Sequence, residues 1–199
     1  LDSDVLDTYG EVTVKKNGRH MSEQTIKRLW KGKSKMVVWP VSNCNTSGKR
    51  EHFVHELRKH IYVDVYGKCG DRNCSRSRAC YLSFAKSYYF YLSFENCICK
   101  DYVTEKLFNV LQYDIVPVVL GGANYTRAAP PGSFIDALSF KSPKDLALHL
   151  KNVASNFTLY RSFFKWKAAQ QLFQGDIGGP RPSSLVEHFF TLPCLEPRY

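Results

Sequence analysis

The stretch FENCICKDYVTEKLFNVLQYDIVPVVLGGANY, residues 94–125, decides the fold of this chain. Its start closes an aromatic-rich strand expected over 88–95. A short polar loop follows at 96–101, then a helix over 102–112, then a buried strand over 115–120. Asp101 is the expected N-cap, because a carboxylate there accepts from the free amides of a first helical turn. Tyr102, Glu105, Lys106 and Asn109 recur at i, i+3, i+4 and i+7 and so share one polar face. Val103, Leu107, Val110 and Leu111 take the other face, which is expected to pack on a sheet. A strand, a loop and a helix N-terminus with a lysine in its first turn make a place to hold an anion.

Upstream, the pattern repeats. Residues 36–42 (MVVWPVS) read as a buried strand, 43–49 as a loop with Gly48, and 50–60 as a helix with Phe53, Val54, Leu57 and Ile61 inward. Residues 62–66 are a second strand ended by Gly67. Strand, helix, strand is the crossover unit of a doubly wound parallel sheet. Arg50 falls in the first turn after the first strand, a phosphate-facing position. The strand over 88–95 is almost wholly apolar, hence central, and it places Glu95 and Asn96 at its carboxyl end, where open α/β sheets bind ligands. Downstream, Gly121 and Gly122 permit close backbone approach, 123–133 is a loop, and 134–140 holds a short strand. Ser142 and Pro143 open a helix to about residue 154, and 156–166 is another. Residues 21–30 form a short helix, and Lys31, Lys33 and Lys35 read as a solvated turn. The fold class is therefore α/β, a Rossmann-like doubly wound sheet.

At 199 residues the chain is one domain's length, and 44% hydrophobic with 14% aromatic residues is a globular composition. A net charge of +10 and a pI near 9.3 call for an anionic partner: nucleic acid, acidic membrane or a phosphorylated small molecule. There is no run of eighteen apolar residues, and no signal peptide opens the sequence. Leu1 is not an initiator Met, so a fragment or a processed piece is expected. Seven cysteines fit an oxidising compartment, and the sequons at Asn45, Asn73, Asn124 and Asn156 agree with a lumenal address. The odd count leaves one thiol unpaired or paired outside the chain. Residues 68–80 form a basic loop whose Cys69, Cys74 and Cys80 lack paired C-x-x-C spacing, which favours disulfides over zinc. Arg72, Arg76 and Arg78 beside tyrosines leave a nucleic-acid patch open. His52 and His55 have no carboxylate between them, and the only D-x-D (2–4) precedes the first strand, so no metal site is expected.

FENCICKDYVTEKL followed by IVPVVLGGANY resembles the signature of the α1,3-fucosyltransferases, glycosyltransferase family 10, most closely the core α1,3 type. The resemblance runs over residues 1–167, from partial matches at SDV and TYG to FFKWK at 163–167. It implies the C-terminal, donor-binding half of a two-domain GT-B enzyme: a linker at 1–35, a GDP-fucose-binding domain at 36–167 and a divergent tail at 168–199. The implied reaction is inverting transfer of L-fucose from GDP-fucose to a GlcNAc 3-hydroxyl of an N-glycan. Carried over, Arg50 and Lys106 contact the pyrophosphate and stabilise the leaving group. Glu105 accepts from sugar hydroxyls, Tyr102 lines the nucleotide pocket, and Glu95 and Asn96 complete the donor site. The general base belongs to a preceding acceptor domain. No cofactor is required, though a divalent metal can stimulate. The implied partners are GDP-fucose and a glycoprotein acceptor, with no nucleic acid. Membrane attachment comes only through an N-terminal anchor preceding Leu1, and the address is the Golgi lumen. Three departures stand out. Cys97 replaces a common Ser and adds a thiol beside the pocket, Tyr89 replaces a common basic residue, and Cys194 stands alone where the core type carries a pair near the end. The rival readings are a non-catalytic GDP-sugar-binding module and a basic nucleic-acid binder, whose affinity would fall steeply with salt.

Overall fold

The computed structural model describes residues 11–14, 21–75, 77–168 and 170–173. In chain order the elements are β1 (Glu11–Val14), α1 (Glu23–Gly32), β2 (Lys35–Pro40), α2 (Arg50–Arg58), β3 (Val63–Tyr66), α3 (Arg78–Ser87) and β4 (Tyr88–Phe94). They continue with α4 (Glu105–Leu111), β5 (Val116–Leu120), α5 (Tyr125–Ala128), β6 (Ile135–Asp136), α6 (Pro143–Ser155), α7 (Phe157–Ser162) and β7 (Gln170–Phe173). Five strands form one parallel sheet in the order β3-β2-β4-β5-β6, while β1 and β7 pair antiparallel by themselves. The register sets Val37 against both Val63 and Phe90, Phe90 against Val116, and Val118 against Ile135.

Alternation along the central strands builds both layers. Val37, Trp39, Phe90, Leu92, Phe94, Val116, Val118 and Leu120 pack with Phe53, Val54 and Leu57 of α2 and Leu146 and Leu150 of α6. Val38 and Tyr91 point the other way, against Phe84 of α3 and Val110 of α4. Leu107, Leu111, Val119 and Tyr125 extend that second layer. A sheet buried on both faces favours apolar side chains at successive positions, which is why β2, β4 and β5 read as largely apolar runs.

Four readings change. Residues 78–87, taken partly as loop, form α3; Ser77 caps it by accepting from the Cys80 amide, and Cys80, Phe84 and Ala85 are its buried face. This helix carries the chain from β3 to β4 across the second layer, so β2 lies between the two directions of winding. Lys33 does not lie in a solvated turn. It is 5% exposed, and its ammonium donates to the carbonyls of Ala85, Tyr88 (2.9 Å) and Asp114 (2.9 Å). Burial pushes its pKa down to about 7. Lys35 pairs with buried Asp64 at 3.2 Å. Cys97 brings no free thiol, because it is joined to Cys99; the other bonds are Cys44–Cys69 and Cys74–Cys80.

Two further details bear on the layers. α1 falls inside the stretch read as linker, yet Ile26 is buried and the Trp30 indole donates to Ala154 O at 2.7 Å. Tyr89 donates its hydroxyl to Trp30 O at 3.1 Å, satisfying a carbonyl at the end of α1. The SDV and TYG segments, Arg76, Cys194 and the tail from residue 174 lie outside the described residues.

Candidate functional site

β2 and β4 are adjacent and parallel, but the chain leaves them in opposite directions: β2 leads to α2 on one face, β4 to α4 on the other. A cleft opens at the carboxyl ends of two such strands. Here it holds about 310 Å³. Ser42, Asn43 and Arg50 line it after β2, and Asn96, Glu105, Lys106 and Asn109 after β4. The rest of its lining is Pro40 and Val41, the rings of Tyr81 and Phe84 from α3 and of Tyr91 from β4, and the Cys74–Cys80 disulfide.

Arg50 is the first residue of α2 and is buried. Its Nη1 donates to Phe94 O at 2.6 Å and its Nη2 to Asn43 O at 3.2 Å, while the guanidinium carbon lies 5.8 Å from the Trp39 ring centroid. Arg50 therefore clips the end of β4 to the loop after β2 as well as lining the cleft. Gly48 allows that loop to meet the one after β4. Its amide donates to Asn96 O at 2.9 Å, and a Cβ there would come within 2.9 Å of the same oxygen.

The helix after β4 begins three residues later than its sequence suggests. Thr104, not Asp101, is the N-cap, and Asp101 sits in a turn at φ +58°. The cause is Glu95. Its buried carboxylate accepts the Thr104 amide at 2.9 Å, the Thr104 hydroxyl at 2.9 Å and the Lys106 ammonium at 2.8 Å. Loop 96–103 is thereby folded back, and residue 100 bridges to Gly122. Two consequences follow for the expected site. Tyr102 precedes the helix and is absent from the cleft wall, and Glu95 lies beneath that wall rather than in it. The amides of this short helix also have built-in acceptors, Glu95 for Thr104 and Thr104 for Lys106 (3.4 Å), so the positive charge at the cleft comes from side chains.

Lys106 has a side chain 24% exposed; its Nζ lies 2.8 Å from Glu95 Oε2, 2.8 Å from Thr104 Oγ1 and 3.9 Å from Glu105 Oε1. Burial pushes the Glu95 carboxyl above the usual range, opposed by Lys106 and Thr104. The structure thus brings together Arg50, Asn96, Glu105 and Lys106 of the expected set. Sequence reasoning missed Thr104, whose position before an apolar run was a usable cap signal, and the aromatic wall, two of whose three rings sit on the unrecognised α3. Among the described residues no group of three or more His, Cys, Asp or Glu is arranged to hold a metal ion, and His52 and His55 are exposed on α2.

A parallel sheet wound on both faces, with a cationic cleft at its switch point, defines a Rossmann-like α/β domain. The chain belongs to glycosyltransferase family 10: the sequence model described as "Glycosyltransferase family 10 (fucosyltransferase) C-term" matches residues 30–177. It is 39% identical over 188 residues to alpha-(1,3)-fucosyltransferase C of Drosophila melanogaster, covering 86% of this chain and 44% of that protein. It is 46% identical over 140 residues to glycoprotein 3-alpha-L-fucosyltransferase A of the same organism, covering 68% and 28%. To 4-galactosyl-N-acetylglucosaminide 3-alpha-L-fucosyltransferase 9 of Mus musculus it is 40% identical over 169 residues, covering 83% and 44%. The chain spans less than half the length of these relatives. Crystal structures of an alpha1,3-fucosyltransferase with GDP-fucose and with GDP share its fold at TM-scores of 0.57 and 0.58, with 22% identity over 67% of this chain and 39% of theirs.

Proposed function

We propose that this chain supplies the donor-binding half of an α1,3-fucosyltransferase and holds GDP-fucose in the cleft between β2 and β4. One observation carries the reading: the cleft is lined both by cations, Arg50 and Lys106, and by aromatic side chains, Tyr81, Phe84 and Tyr91. A diphosphate needs the first and a nucleobase the second. The names of the relatives and of the GDP-bearing structures support the same donor. The donor domain is residues 36–167 with α1 packed on it.

In the reaction, the bond from fucose C1 to the β-phosphate oxygen breaks and its electron pair leaves with GDP. The acceptor oxygen bonds to C1 from the opposite face, inverting it, and the hydroxyl proton passes to a base outside this chain. Negative charge grows on the β-phosphate. Arg50 and Lys106 stabilise that charge, and Asn96 and Glu105 orient the donor. The acceptor is a GlcNAc 3-hydroxyl on an N-glycan; the name of the 46%-identical relative supports the coarser part, a glycoprotein and a 3-alpha linkage. The cysteines and sequons fit a Golgi-lumenal address.

Calorimetric titration tests the donor site. GDP should bind saturably and more tightly than ADP. A Lys106→Ala variant should lose one to two decades of affinity, since a charge-assisted contact contributes about 1.5–3 kcal/mol. Equal binding of GDP, ADP and RNA, screened alike by salt, would sink the reading.

A further inference from the structure

We infer that Glu95 and Thr104 are positioning residues that aim the Lys106 ammonium into the cleft. This rests on the donor-site reading above.

An ammonium has three protons and no acceptor. Glu95 Oε2 and Thr104 Oγ1, each 2.8 Å from Lys106 Nζ, take two of them. Glu105 Oε1, at 3.9 Å, is beyond hydrogen-bond reach, so the third proton is left for the side of the nitrogen that faces the cleft. The pair is asymmetric in the way such a role requires. The Glu95 side chain is 1% exposed and sealed below the wall, while that of Lys106 is 24% exposed and forms part of it. The carboxylate is itself fixed. Its backbone amide donates to Leu120 O at 2.9 Å, and its oxygens hold Thr104 through both the amide and the hydroxyl. Ser93 Oγ adds a bond of 2.8 Å to the Lys106 carbonyl, fixing the backbone that carries the lysine.

A buried carboxylate is a poor device for stability alone, because its desolvation commonly outweighs the pairing. A long flexible lysine, however, gains from being held before its ligand arrives, since ordering it at the moment of binding costs affinity. Glu95 thus acts through Lys106 and touches no substrate.

The experiment is a double-mutant cycle read by GDP affinity in this chain, with thermal midpoints recorded alongside. Lys106→Ala and Glu95→Gln should each weaken GDP by about tenfold or more, and the double variant should bind no more weakly than Lys106→Ala alone. Methylammonium should restore part of the affinity to Lys106→Ala and none to the double variant, because only the carboxylate holds the added cation. If Glu95→Gln fails to fold, Thr104→Val removes one of the two acceptors and should show the same coupling to Lys106. Additive losses, or methylammonium rescue without the carboxylate, overturn the inference while leaving the donor site standing. A folded wild-type chain that binds no GDP overturns both.

Discussion

Glu95 and Asn96 are adjacent at the end of β4, yet one is sealed under the cleft wall and the other forms part of it. The same stretch depends on Gly122. A Cβ on Gly122 would stand 2.7 Å from Cys99 O and 2.9 Å from the Ile98 carbonyl carbon, both backbone atoms. Backbone cannot rotate away as a side-chain tip can. Gly122→Ala should therefore push loop 96–103 outward and cost about 1–3 kcal/mol. Urea denaturation reads the stability, and GDP titration of the folded variant should show weaker binding. A variant of unchanged stability would mean that the loop does not rest on residue 122. At this scale Arg50, Asn96, Glu105 and Lys106 were legible, because each falls at a strand end or first helical turn that pattern alone defines. Tyr102 and Asp101 were misplaced because two cap candidates stood three residues apart. The choice between them was made by Glu95, a contact across the chain that local propensity does not contain.

Among the elements, α5 lay in a stretch read as loop, β1 and β7 in stretches read as linker and tail, and α3 was the hidden one that bears on the cleft. RACYLSFAKS runs into YYFYLSF with neither Gly nor Pro between them, so one continuous apolar stretch concealed a change from helical to strand period. The remaining strands and helices of the sheet were legible because turns or glycines separate them. Missing α3 meant missing two of the three rings of the aromatic wall. Tyr81 stacks on Tyr113 with centroids 5.1 Å apart and planes 8° apart, and lies 6.0 Å from Tyr91 at 25°. A ring held flat by its neighbours is a prepared surface for a nucleobase. Tyr81→Ala should lower GDP affinity by about tenfold, in line with roughly 1–3 kcal/mol per stacked base, while leaving inorganic pyrophosphate binding unchanged. Lys106→Ala should weaken both ligands. Equal loss of GDP and pyrophosphate in Tyr81→Ala would place the base elsewhere.

Over the whole molecule, a net charge of +10 overstates the cationic surface, because several of the positive groups are engaged internally. Arg50 holds two carbonyls, Lys106 holds Glu95, Lys35 and Arg72 share Asp64, and Lys33 holds three carbonyls. Lys33 matters most for the fold, since its three acceptors belong to α3, β4 and the turn before β5, and it closes the end of the sheet opposite the cleft. Desolvation lowers its pKa from 10.5 to about 7, with Asp114 opposing and Lys167 assisting. Between those values the unfolded chain keeps a proton that the folded protein has released, so stability rises with pH across that window. Below about 7 both states are protonated, the slope vanishes and the full cost of the buried charge is present. The rise can reach about 1.4 kcal/mol per pH unit. Lys33→Met removes the titrating group. Urea denaturation of both proteins at about pH 7, 8 and 9 should show wild type gaining on the variant by about 1 kcal/mol per unit. A difference that stays constant across the three conditions would mean that Lys33 remains charged in the fold, held by its carbonyl acceptors against the cost of burial.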